Sequence, residues 1–149
     1  MQGGRTAGFT IIEIMIVVLI VGVTAVLVAP SVSRGTGNAR VKRAAAILAG
    51  DMELAFTTAA RQRKPVRVVF TSGTLSYTIQ DRATRTVLIS RDFGATSAMP
   101  LTSFTASLAT LDIYPNGIAS GPDTLRLTLG EHSREVIVTR IGIIRGVQS

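Results

Sequence analysis

Residues 8–30 read GFTIIEIMIVVLIVGVTAVLVAP, and this stretch decides the architecture. From Phe9 to Ala29 the chain carries 21 residues whose only polar side chains are Thr10, Glu13 and Thr24. As an α-helix such a run measures about 32 Å, enough to cross the hydrocarbon core of a bilayer. Ahead of it, MQGGRTAG holds one cation, Arg5, and no acid. The positive-inside rule therefore keeps residues 1–8 cytoplasmic and sends the rest of the chain outward. A cleaved secretory signal peptide is the competing reading, but its apolar core is ordinarily about 7–15 residues, and a cut after Ala29 would fall against Pro30. Glu13 is the odd residue: an ionised carboxylate inside an apolar segment costs about 3 kcal/mol unless it finds a partner, so it is a functional candidate by default. The plainer alternative is a carboxylate that snorkels to the interface.

Gly8 followed by Phe9 and Thr10, then Glu13 and an aliphatic run reaching Pro30, resembles the type IV prepilin signal, also called class III. The resemblance implies that a membrane prepilin peptidase cuts between Gly8 and Phe9 and methylates the new amino group of Phe9, and that the mature chain keeps its membrane helix. Gly8 gives backbone access at the cut. The carboxylate of Glu13 then pairs with the charged amino terminus of Phe9 in a neighbouring subunit, which makes an intramembrane charge a register device. Four segments follow: leader 1–8, transmembrane and assembly helix 9–30, soluble continuation of the helix 31–64, and β-rich globular domain 65–149.

Outside the apolar block, Pro30 and the stretch SVSRGTGNAR, with Gly35 and Gly37, predict a kink or local melt. Helical spacing resumes from Ala39 to about Arg63. Val41, Ala45, Leu48, Met52, Ala55 or Phe56, and Ala59 share one face, with Arg40, Arg43, Asp51 and Arg61 mostly elsewhere. Pro65 ends the helix. Strands are expected at Val66–Phe70, Leu75–Gln80, Thr86–Asp92, Leu111–Tyr114, Leu125–Leu129 and Glu135–Ile144, with turns at Thr71-Ser72-Gly73 and Pro115-Asn116-Gly117. Asp92–Ser107 is the least patterned stretch and reads either as a loop with a ragged strand or as a disordered insert. A helix followed only by strands predicts an α+β fold, a long N-terminal helix packed on an antiparallel β-sheet domain.

The stretch LDIYPNGIASGPDTLRLTL followed by REVIVTRIGIIR resembles the H-type minor pseudopilins of type II secretion and their pilus relatives, and so implies a pilin-like fold. Some pilus members of that group bind DNA through a C-terminal Gly-Arg-x-Arg motif. Here the matching residues are Gly142-Ile143-Ile144-Arg145, without the first arginine.

Signs of other chemistry are sparse. The 149 residues include no cysteine, which excludes disulfides, thiolate metal sites and a cysteine nucleophile. With five Phe, two Tyr and no Trp, the core must be mainly aliphatic. The single histidine, His132, falls in LGEHSRE and reads as a solvated turn residue. Gly117–Gly121 is GIASG and not G-x-S-x-G, and Gly35-Thr36-Gly37 lacks the third glycine of a dinucleotide loop. Asp112, Asn116 and Asp123 could offer oxygens to Ca²⁺, as in G-type major pseudopilins, but their spacing fits turn chemistry better. No enzyme activity, cofactor or metal is expected.

The net charge of +7 is carried mostly by arginine. Arg61, Arg63, Lys64 and Arg67 cluster at the helix end, where cations favour the negative end of the helix dipole; a patch for phosphates or an acidic partner is the other reading. Arg140 and Arg145 extend it near the C-terminus. The leading expectation is a minor pilin or pseudopilin of a type II secretion pseudopilus or type IV pilus. It would be anchored by one pass in the inner membrane with its C-terminal domain periplasmic, and assembled with other pilins into a periplasmic or extracellular filament that it helps to initiate or cap. An assembly ATPase would supply the energy, by family resemblance. The alternatives are a DNA-binding minor pilin of natural transformation and an anchored domain unrelated to filaments.

Overall fold

The structure, a computed structural model, describes residues 9–148, with the side chains of 26–35 and 148 outside that description. The expected leader 1–8 and the Gly8 side of the cleavage junction therefore lie outside the described residues. Two compact units are resolved, Met1–Thr36 and Gly37–Ser149. One helix, α1 (Ile11–Gln62), runs through both. The melt expected between Pro30 and Gly37 is corrected, because the backbone stays helical there. Proline removes one backbone hydrogen bond and each glycine costs about 1 kcal/mol, penalties that the long flanking helix absorbs. Among the described residues no helix is long and apolar enough to cross a membrane; the expected span Phe9–Ala29 runs into the side chains outside the description.

In the first unit, Thr10 starts α1. Its Oγ1 accepts from the Glu13 N–H at 3.3 Å and its carbonyl accepts from Glu13 and Ile14 at 3.1 and 3.3 Å. Thr10 and Glu13 hold the first and fourth positions of a capping-box sequence, and the acid lies at the positive end of the helix dipole. Thr24 turns its hydroxyl back onto the carbonyls of Ile20 and Val21, at 2.9 and 3.0 Å, so it offers no bare polar group to its surroundings.

In the second unit, Val41, Ala44, Ala45, Leu48, Met52, Ala55 and Ala59 are buried, the helical arc expected from the sequence. The helix ends where Arg63 turns left-handed, φ 53°, two residues before Pro65. Eight strands follow among the described residues: β1 (Val66–Thr71), β2 (Ser76–Asp81), β3 (Val87–Asp92), β4 (Ser103–Ala106), β5 (Thr110–Ile113), β6 (Asp123–Leu129), β7 (His132–Val138) and β8 (Ile144–Gln148). They form two antiparallel four-stranded sheets, β3-β2-β1-β5 and β4-β6-β7-β8. The single strand expected over Glu135–Ile144 is in fact two, β7 and β8, reversed by a turn at Thr139–Ile143. Its aliphatic residues gave the pattern of a continuous strand, while Gly142 at φ 80° makes the reversal.

The unpatterned Asp92–Ser107 is no disordered insert. It crosses between the sheets with Phe93 and Leu101 buried, and it carries β4, the ragged strand foreseen. Phe93 and Phe104 meet Tyr77 of β2 at ring separations of 5.8 and 6.1 Å, and Phe70 of β1 meets Phe104 at 6.2 Å. Four of the seven aromatics thus knit the two sheets into one core.

Asp51 corrects another expectation. It is buried on the helix face that meets the strands, not turned elsewhere. Its carboxylate accepts the Tyr77 hydroxyl at 2.7 Å and the Arg91 Nε at 2.7 Å. Burial and that carboxylate together push the Tyr77 phenol well above its ordinary pKa. Removing the acceptor in Asp51→Ala should cost roughly 2–3 kcal/mol, because it leaves the buried hydroxyl unpaired. Urea unfolding of the full chain in detergent measures it, and a loss below about 0.5 kcal/mol would mean that the three groups contribute only packing.

Candidate functional site: an assembly helix and a cationic pole

The N-terminal half of α1 is exposed along every described residue, from Ile11 to Ala25. Phe9, two residues before the helix, is 79% exposed. Isoleucine, valine and leucine exposed around the whole circumference are out of place in water, because a helix apolar on all sides belongs inside lipid or a bundle of other helices. Glu13 sits in this segment as its one described acid. Pro30 lies within α1, with its side chain outside the described residues.

The other predicted site residues gather at the far end of α1. Arg61 is in its last turn and Arg63 and Lys64 follow, all exposed. The loops that meet there can be followed by contact. Pro65 O accepts from Arg82 N–H at 3.1 Å, and the Arg82 guanidinium lies 5.9 Å from the Tyr114 ring. Tyr114 closes the Pro115-Asn116-Gly117 turn by donating to Ile118 O at 2.9 Å. Ala119 N–H then donates to Arg140 O at 2.8 Å. Finally the Gly142 backbone lies against the Phe56 ring of α1, so close that a Cβ would come within 3.1 Å of it. Arg61, Arg63, Lys64 and Arg140 therefore share one pole of the domain, while Arg145 stands on β8 opposite Ile137.

Arg67 does not belong to the free cluster. It grips Asp112 through Nε at 2.6 Å and Nη2 at 2.8 Å, and Arg82 adds a contact at 3.1 Å. The hydrogen bonds from Arg67 hold the Asp112 carboxyl below the usual carboxylate range. The three Ca²⁺ candidates each have an oxygen engaged within the fold. Asp112 is committed to arginine, Asn116 Oδ1 accepts Ile118 N–H at 3.2 Å, and Asp123 Oδ1 accepts Leu108 N–H at 3.0 Å. Among the described residues no three His, Cys, Asp or Glu side chains group as a metal set.

His132 is also corrected. It opens β7, half-buried, with its ring against Gly37, where a Cβ would stand 2.9 Å from the imidazole. Glycine at 37 thus admits the β6–β7 hairpin against the helix. Sequence reasoning missed the roles of Asp51, Tyr77 and Arg91, and read Asp123 as a turn residue. A charged residue between Leu48 and Met52 on an apolar arc was the available signal for Asp51; nothing local marks Arg91.

A long helix with an exposed apolar N-terminal half, whose C-terminal half packs on antiparallel sheets, is the architecture of minor pilins and pseudopilins. A family model described as Type II transport protein GspH matches residues 44–142, and the chain belongs to that family. The type IV minor pilin FimU of Pseudomonas aeruginosa (strain PAO1) shares the fold with a TM-score of 0.57, 16% identity, and coverage of 71% of this chain and 91% of that one. The minor pseudopilin EpsH from the Type 2 Secretion System of Vibrio cholerae matches with a TM-score of 0.57 and 15% identity over 73% of this chain and 97% of that one. No curated protein matches in sequence. Nothing in the family or the neighbours supports DNA capture.

Asp123 generates a pH prediction. Burial raises its pKa, and its Oδ2 is buried without a hydrogen-bond partner. The folded state therefore binds this proton more tightly than the unfolded one, so the residue's penalty is absent below about pH 4 and grows as pH rises through the folded pKa. Asp123→Asn should raise the thermal midpoint at pH 8 by several degrees, about 1 kcal/mol, with the gain vanishing near pH 4. A gain independent of pH would assign the effect to packing instead.

Proposed function

We propose that the chain is made as a prepilin, cut between Gly8 and Phe9, methylated on Phe9, and held in the inner membrane by residues 9–30 with its globular domain on the periplasmic side, before it assembles with other pilins into a secretion pseudopilus. The observation that carries this reading is the exposed apolar half of α1. Its side chains from Ile11 to Val23 are stranded in water unless lipid or the helices of other subunits cover them. Two details support it. The helix begins at Ile11, which leaves Phe9 and Thr10 exposed and outside it, beside the junction where a peptidase needs accessible backbone. Thr24 satisfies its own hydroxyl within the helix, as a hydrocarbon setting demands. The family description favours secretion over the pilus as the system served.

Glu13 acts as the register device. Its carboxylate is in the first turn of α1 and exposed, free to meet the amino terminus of a second subunit. An ammonium offered by a neighbour offsets the cost of placing the acid in lipid, and only one stagger brings the two charges together. Arg61, Arg63, Lys64 and Arg140 are assigned to protein contacts.

Intact mass and N-terminal sequencing of the chain from native membranes should find methylated Phe9 as the first residue. An intact Met1 or a cut after Ala29 would overturn the reading. Glu13→Ala should lower incorporation into sheared filaments at least tenfold while processing at Gly8 continues; wild-type incorporation would remove the register role.

A further inference from the structure

The turn between β7 and β8 departs from ordinary turn chemistry. Thr139 closes it with its N–H and hydroxyl both donating to Ile143 O, at 2.9 and 3.1 Å, while Ile143 N–H donates to Thr139 Oγ1 at 2.9 Å. Gly142, at φ 80°, is pinned against Phe56. A turn fastened this firmly is preorganised, and it holds Ile141 and Ile143 outward at 69% and 43% exposure. Ile118, on the neighbouring turn, is 39% exposed. Turn tips in water are ordinarily polar, and nothing in the domain's own core needs these three side chains.

Four cations share the pole with that turn. Arg61, Arg63, Lys64 and Arg140 make no salt bridge among the described residues, and the two acids at this pole are spent internally. Asp81 caps the Ala83 and Thr84 N–H groups at 2.8 Å each, and Asp112 is held by Arg67 and Arg82. An apolar centre with an arginine rim is the composition of a protein interface, where rim charges select the partner and speed the encounter.

We infer that this pole docks a different protein whose facing surface carries an apolar pocket ringed by Asp and Glu. A second copy of this chain does not fit. Of its nine acids, Asp51, Asp81, Asp112, Asp123 and Glu135 are committed internally and Glu13 belongs to the assembly helix. Only Glu53, Asp92 and Glu131 are left, each on a separate element. Placing the partner as an adjoining envelope subunit rests on the filament reading above, and the experiment separates the two.

The full chain would carry a photo-crosslinking amino acid at Ile141, and in a parallel strain at Leu19, within its native membranes. Mass spectrometry of the Ile141 adduct should map a different protein on a peptide with clustered Asp or Glu. Arg61→Glu with Arg140→Glu should cut its yield at least tenfold, and Ile118→Asp likewise, while Arg43→Glu on the exposed face of α1 leaves it unchanged. An unaltered circular dichroism melt of each purified variant excludes misfolding. An adduct to a second copy, to lipid or to DNA, an adduct indifferent to charge reversal, or no adduct overturns the proposal. The Leu19 adducts report helix-to-helix assembly independently, so their presence without an Ile141 partner sinks only the pole, and their absence sinks the filament reading.

Discussion

The domain depends on a directional contact across a smooth surface. The face that α1 presents to the strands is largely alanine, with Ala44, Ala45, Ala55 and Ala59 buried beside Val41, Leu48 and Met52. Such a face lets the backbones approach closely, but it supplies few knobs to resist sliding or rotation. The Asp51 carboxylate, gripped by Tyr77 and Arg91, fixes the helix against β2 and β3. The aromatic ring contacts then extend that registration into the second sheet through Phe104. Hydrophobic burial provides the driving force, and the polar triad selects one arrangement among several of similar area.

A matched length governs the other side. The β7 strand begins where His132 meets Gly37, and the turn after it reaches Phe56. The nineteen residues of helix between these contacts rise about 28 Å, and the seven residues of β7 extend about 20 Å before the turn. The strand and its turn therefore run beside the helix between these two contacts, and a glycine at each permits the approach. The same geometry carries Arg140 and Ile141 to the pole where α1 terminates.

Much of this was legible in the residues and some was not. The apolar block, the helical arc from Val41 to Ala59 and most strands follow from period and turn chemistry, which are local. The β7–β8 reversal was hidden because Ile141, Ile143 and Ile144 continue a strand-like run, and interface residues at a turn imitate a core strand. Helix continuity through Pro30 and Gly37 was misjudged because propensity is weak against a long flanking helix. The partners of Asp51, Asp112 and Asp123 lie 15 to 45 positions away, and no local pattern identifies them.

The order in which the strands are dealt to the two sheets sets how the domain gains its structure. The chain makes β1, β2 and β3 as a meander, places β4 in the other sheet, returns for β5 beside β1, and leaves again for β6, β7 and β8. The first sheet is complete only after the chain has crossed to the other and back, and the second only after a third crossing, so neither half is a separable folding unit. Secondary structure can nucleate early in the local β1–β2–β3 hairpins, but the last backbone pairing of the first sheet waits on a strand that follows the start of the second. The domain is thereby built to form and to melt as one cooperative unit.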